Sequence, residues 1–148
     1  MKVYGMLTVE ELQQQVDSRE IDTVLVVFTD LYGRFMGKRF DAEFFLEDAV
    51  ENGTHCCDYL VTVDMEMDPV SGYECTNWER GYGDFHIVPD FSTLRKVSWF
   101  ERSAMVLCDV KENKTHELTE VAPRSMLRKQ IDFANELGFT AKAGSELE

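Results

Sequence analysis

Near the C-terminal end, Glu146-Leu147-Glu148 sets two carboxylates two residues apart. On a strand such positions project from one face, so both would aim at the same place. Like charges held together repel unless a cation lies between them, and oxygen-only ligands on a rigid strand suit Mg²⁺ or Mn²⁺. In an acidic chain the plain alternative is a solvated surface pair, and the spacing alone leaves both open. The other chemistry-bearing residues are dispersed. His55, His86 and His116 have no ligand spacing and read as surface or strand histidines. Cys56, Cys57, Cys75 and Cys108 contain no CxxC step, and the adjacent pair cannot readily bridge, so reduced thiols of a cytoplasmic protein are expected. Gly81-Tyr82-Gly83 is not followed by a helical pattern, so no phosphate loop is assigned. Met65 and Met67 read as a strand edge, and Arg34, Lys38 and Arg39 as a basic hairpin face contacting an acidic neighbour.

The elements that would position these groups follow from periodicity and breakers. Thr8 and Glu11 stand in capping-box register ahead of Val9, Leu12 and Val16, the pattern of a short amphipathic helix. Thr23 to Phe28 is a β-branched run long enough for a strand buried on both faces. Asp30-Leu31-Tyr32-Gly33 makes a turn, and residues 34–40 return as a hairpin strand. A second helix is expected from Asp41, as N-cap, to Gly53, with Phe44, Phe45, Leu46 and Ala49 facing inward. Tyr59 to Val63, Phe85 to Val88 and Ala104 to Val110 read as further strands, and residues 64–84 as a long, breaker-rich excursion of the kind usually kept for function. The order strand, strand, helix, strand, strand predicts an α+β fold, a β-grasp sheet with its helix across one face. After a polar linker, Pro123 opens a helix with Leu127, Ile131, Ala134 and Leu137 on one side and Gly138 at its end, and Phe139 to Ala143 alternates as a strand. A helix followed by half a hairpin is an unusual place for a domain to stop, so truncation is expected.

The chain has 148 residues and a formal net charge of -13. Residues 41–90 hold 13 acids and one base, Arg80, so the imbalance lies almost wholly in that third of the sequence. Nucleic acid and anionic lipid need clustered Lys and Arg and are excluded as partners. No stretch approaches the ~20 apolar residues that cross a bilayer, and the N-terminus lacks the pattern of an export signal, so no membrane role and a cytoplasmic location are expected.

Three collinear segments carry a resemblance. Pro123 to Gln130, Ala134 to Phe139 and Gly144 to Glu148 closely resemble the start of the catalytic domain of the glutamine synthetase family. Gly83 to Leu94, Trp99 and Ala104 to Val110 are similar to the end of that family's N-terminal β-grasp domain, and Asp30 to Arg39 to its opening. The resemblance implies a β-grasp domain at 1–110, a linker at 111–122 and the truncated beginning of a catalytic domain at 123–148. It implies that Glu146 and Glu148 each serve one of two divalent sites holding Mg²⁺ or Mn²⁺. The implied reaction uses ATP to phosphorylate the γ-carboxylate of glutamate, and ammonia or an amine displaces the phosphate. In the family each active site lies between subunits of a ring, and an aspartate of the N-terminal domain helps bind ammonium. The usual Phe-Asp-Gly-Ser-Ser segment is absent, and Cys56-Cys57-Asp58-Tyr59-Leu60 stands in its place. Asp58 is therefore the candidate for that role, against a plain loop aspartate, and Asp84 a second interface candidate, against a turn residue capping the next strand. The departure opens the acceptor to amines and polyamines as well as ammonia.

The expectation is thus the N-terminal piece of a glutamate–ammonia or glutamate–amine ligase, inactive alone and self-associating through the apolar stripe of its last helix. The alternative is a non-catalytic β-grasp interaction or structural module. The acidic segment would either attract cationic substrates or serve solubility.

Overall fold

The computed structural model describes residues 4–146 and has an α+β architecture built on one mixed sheet. Its strands are β1 (Thr23–Thr29), β2 (Phe35–Asp41), β3 (Thr54–Cys57), β4 (Asp84–Pro89), β5 (Arg95–Lys96) and β6 (Ser103–Glu112). They lie in the order β2-β1-β6-β4-β3, with β5 also paired to β6. β1 and β2 form the expected antiparallel hairpin, Thr23 opposite Asp41 and Thr29 opposite Phe35. β1 runs parallel to the first half of β6, which then pairs antiparallel with β4.

A central strand is covered on both sides, and the continuous apolar run of β1 meets that demand. Val24, Val26 and Phe28 face the main core with Leu12, Ile21, Phe45, Ile87 and Val106, while Leu25 and Val27 face a smaller cluster with Val97 and Met105. The N-terminal helix, Val9–Asp17, opens with the full reciprocal capping box of Thr8 and Glu11 and buries Leu12 and Val16. The second helical stretch, 42–52, has a π-helical turn at Phe45–Ala49 and is capped by Asp41, whose carboxylate accepts from the N–H groups of Glu43 and Phe44. Gly53 ends it at φ +64°, where an added Cβ would lie 2.6 Å from the Ile87 carbonyl oxygen.

Three expectations are corrected. Phe44 does not face inward: it is about half exposed and stacks on Phe40 at 5.8 Å, leaving Ala42, Phe45 and Ala49 as the buried positions. Tyr59 to Val63 is not a strand; Asp58–Val61 forms a 3₁₀ turn, and the strand beside β4 is Thr54–Cys57. Val61, Thr62 and Val63 are fully buried all the same, so the apolar, β-branched run belongs to a buried irregular segment and not to a ladder. Phe139 to Ala143 is exposed and unpaired, because a strand without a neighbouring edge has nothing to hold it.

The last helix, Pro123–Glu136, is docked on the sheet by charge. Arg124 donates to both Asp109 (2.9 Å) and Asp90, and Arg128 to Asp109 at 2.8 Å. Much of its apolar surface is bare, with Leu127, Ile131, Phe133 and Leu137 exposed. No described helix is long and apolar enough to cross a membrane.

Two carboxylates tie this frame to pH. Burial alone would raise the pKa of Asp30, but Arg34 and the N–H groups of Tyr32 and Arg34 more than offset it, and the carboxyl sits below its usual range. Burial likewise opposes ionisation of Asp90, and hydrogen bonds from Ser92 with the charges of Arg124 and Arg128 again prevail. A depressed carboxyl contributes stability that is present above its unfolded pKa, about 4, and lost as pH falls through the folded value. Unfolding free energy should therefore stay level from pH 7 to about 5 and drop below about 4. Asp90→Asn should flatten that drop in urea titrations, and an unchanged slope would contradict the assignment.

Candidate functional site

The β3–β4 ladder ends with Cys57 opposite Asp84, which puts the two candidate aspartates of the N-terminal region at one end of the sheet. The chain leaves β3 as Asp58-Tyr59 and enters β4 as Tyr82-Gly83-Asp84, and these segments are locked together. The Asp58 N–H donates to the Gly83 carbonyl at 2.9 Å, and the Gly83 N–H donates back to Asp58 Oδ2 at 2.9 Å. Asp58 Oδ1 accepts from the Thr76 hydroxyl at 2.7 Å. Asp58 is thus buried and closes the long excursion, while Asp84, the residue after Gly83, is exposed and its side chain makes no hydrogen bond among the described residues.

The excursion is irregular but held. Asp64 Oδ1 accepts from the N–H groups of Glu66 and Asp68 and makes a tight turn, so Met65 and Met67 sit on an exposed turn and not on a strand edge. Arg34 leaves the hairpin face to donate to the carbonyls of Asp64 (2.8 Å) and Met65 (2.8 Å) while its Nε holds Asp30. Arg39 instead lies over the Phe100 ring. Farther along, Arg80 donates to the Glu74 carbonyl, and its N–H to Asn77 Oδ1. If Asp58 is the clasp of this loop, Asp58→Ala leaves Thr76 and Gly83 without their acceptor and should open 64–83 to protease well before the sheet melts. Cleavage rates equal to those of the parent chain would refute that role.

Sequence reading missed the aromatic content of this end. Tyr59 and Tyr82 meet edge to face with centroids 5.6 Å apart, and Trp78 meets Tyr82 at 6.1 Å. The charge of Cys57 when ionised and its hydrogen bond with the Tyr59 hydroxyl push the phenol above its ordinary pKa. Sequence spacing also hid the three histidines: His55 stacks on His86 at 5.1 Å and His116 meets the same ring edge-on at 5.5 Å. No three His, Cys, Asp or Glu side chains among the described residues are placed to hold a metal ion. All four cysteines are free. Burial, first of all, raises the Cys56 and Cys108 thiols, which are packed as apolar groups.

Glu146 is exposed and lies on the irregular segment after the last helix. Glu148 falls outside the described residues. One carboxylate is not a metal site, but the oxygen-only donor fits a hard cation such as Mg²⁺.

No family model matches the chain. Over 143 residues it is 46% identical to a γ-glutamylethanolamide synthetase of Streptomyces coelicolor, covering 96% of this chain and 30% of that protein. A glutamate–isopropylamine ligase of a Pseudomonas species is 38% identical over 90% of this chain and 29% of its own length. The glutamine synthetase of Thermotoga maritima is 25% identical over 145 residues, again 30% of its length. Among solved structures, a GmaS–ADP complex superposes with a TM-score of 0.63 at 22% identity, covering 85% of this chain and 26% of that one, which concerns the fold. Spanning about 30% of the length of such relatives and matched along nearly all of its own, the chain belongs to the glutamine synthetase family.

Proposed function

We propose that this chain is the N-terminal part of an ATP-dependent ligase joining the γ-carboxylate of glutamate to a small amine through a γ-glutamyl phosphate. The observation that carries the reading is the 46% identity with a γ-glutamylethanolamide synthetase along 143 residues. Its name and that of the isopropylamine ligase both point to substituted primary amines as acceptors, which are cations at neutral pH. The 13 acids and single base of residues 41–90 support a cationic acceptor through long-range attraction.

In this reading residues 1–110 are a β-grasp domain, supported by the central parallel pairing of β1 with β6 and the helix packed on one face. Residues 111–122 are the linker and 123–148 the start of the catalytic domain, and the active sites lie between subunits of a homo-oligomer. Asp84 is the exposed charge partner of the amine, and Asp58 is the buried carboxylate that holds Gly83, and hence Asp84, in place. Glu146, with Glu148 on the resemblance alone, supplies carboxylate oxygens of the kind Mg²⁺ or Mn²⁺ takes. Such an ion, when bound, neutralises charge on the transferring phosphoryl group. The 148 residues by themselves should not turn over.

The test is a phosphate-release assay on the full-length protein with ATP, Mg²⁺, glutamate and a panel of amines that includes ammonia, with products weighed by mass spectrometry. Amine-dependent phosphate release with a γ-glutamylamide product is expected. No turnover with any amine would overturn the ligase reading in favour of a non-catalytic module.

A further inference from the structure

We propose that Tyr59, Trp78 and Tyr82, together with Asp84, form a subsite for the organic substituent of a primary alkylammonium acceptor, favouring it over ammonium. This rests on the ligase reading above and names its acceptor class.

The reciprocal bonds between Asp58 and Gly83 fix where β3 ends and β4 begins, so residues 59 and 82 must emerge side by side next to Asp84. Both are tyrosines, and their rings meet at 80° between planes; Trp78 joins Tyr82 at 66°. Edge-to-face contact covers at most one face of a ring on each side of the contact. Trp78 is 83% exposed and Tyr82 40%, so the cluster is a ledge on the surface and not part of the core. The ledge is held in place: Gly81 N–H donates to the Trp78 carbonyl, Asn77 Nδ2 to the Tyr73 carbonyl, and Arg80 ties back to Glu74 and Asn77. A platform ordered before binding does not lose that ordering entropy on binding.

Exposed aromatic rings, one of them two residues along the chain from an exposed carboxylate, match one kind of small ligand. An alkylammonium brings a charge for Asp84 and the ring quadrupoles, and hydrocarbon for the ring surfaces. Bare ammonium has no hydrocarbon to place there, and a neutral alcohol has no charge. The surrounding segment, with 13 acids to one base, favours the cation as well. That base is Arg80, whose guanidinium is engaged with the Glu74 carbonyl.

Trp78 and Trp99 are the two tryptophans of the chain, so Trp99→Phe leaves Trp78 as the reporter. Its emission would be titrated at constant ionic strength with ethylammonium, ammonium and ethanol, folding being checked by circular dichroism. A saturable change with ethylammonium alone is expected, weakened about 3-fold or more by Asp84→Asn and by Tyr82→Leu, which keeps apolar bulk but removes the ring face. Equal responses to all three solutes, no saturation, or unaltered binding in both variants would overturn the proposal. In the full-length enzyme, Trp78→Leu should raise KM for an alkylamine more than for ammonia, and equal changes would count against it. The titration needs no turnover, so an inactive full-length protein would sink the ligase reading while leaving the binding result to stand or fall separately.

Discussion

In the full-length protein, Glu146→Gln is expected to lower kcat/KM for amide formation by about 100-fold or more. Gln keeps the shape of the side chain and one oxygen but removes the negative charge that a divalent cation requires. Stabilisation of phosphoryl charge by a bound cation contributes several kcal/mol, and each 1.4 kcal/mol is about a factor of ten in rate. Glu146 is exposed and has no hydrogen bond among the described residues, so the substitution should leave folding untouched. That separates a chemical loss from a structural one. Steady-state rates, a count of bound Mn²⁺ by electron paramagnetic resonance and a thermal melt together check it. Undiminished activity with undiminished Mn²⁺ binding would return the carboxylate to the solvated alternative.

The second large effect concerns stability. Gly37 sits in β2 opposite Val27 with φ +149°, and a Cβ there would lie 2.0 Å from the Val26 carbonyl oxygen and 2.9 Å from Val27 Cα. Both obstacles are backbone of the strand at the heart of the sheet, so relief requires β2 to move away from β1. Backbone strain and lost ladder bonds together put the cost of Gly37→Ala at roughly 3 kcal/mol or more, a fall in Tm on the order of 6–12 °C. Gly144→Ala, with nothing within 4 Å of the added carbon, is the control and should stay within about 0.5 kcal/mol. Equal urea midpoints for the two variants would show that the hairpin tolerates the side chain.

The legible parts of this protein are those whose cause is local. The capping box at Thr8, the continuous apolar run of β1, the Asp41 cap and the Gly53 stop each concern residues within a turn or two of one another, and each is found where expected. The strand beside β4 differs from expectation because an apolar, β-branched run reports burial and not hydrogen bonding. Tyr59 to Val63 is largely buried, yet the ladder belongs to Thr54–Cys57, which meets β4 in register. Phe139 to Ala143 alternates, but no described strand lies beside it.

The candidate site divides in the same way. Glu146, Asp58 and Asp84 could be singled out from residue type, spacing and family resemblance. The hydrogen bonds that make Asp58 a clasp and leave Asp84 open join residues 18 and 25 positions apart. The meeting of Tyr82 with Tyr59 and Trp78, the cluster of three histidines, and the hold of Arg124 and Arg128 on Asp90 and Asp109 depend equally on pairing set by the fold.

By itself the sequence determined the kind of protein: an acidic α+β chain of the glutamine synthetase type, with carboxylates suited to cations. Composition, period and capping act over a few residues and survive without knowledge of the fold. Only the tertiary structure decided that Asp58 is spent on closing a loop while Asp84 is exposed, and that Tyr59, Trp78 and Tyr82 meet. The reason is physical: a side chain's partners across a sheet are set by register, and a shift of one residue would have turned every one of them to the other face.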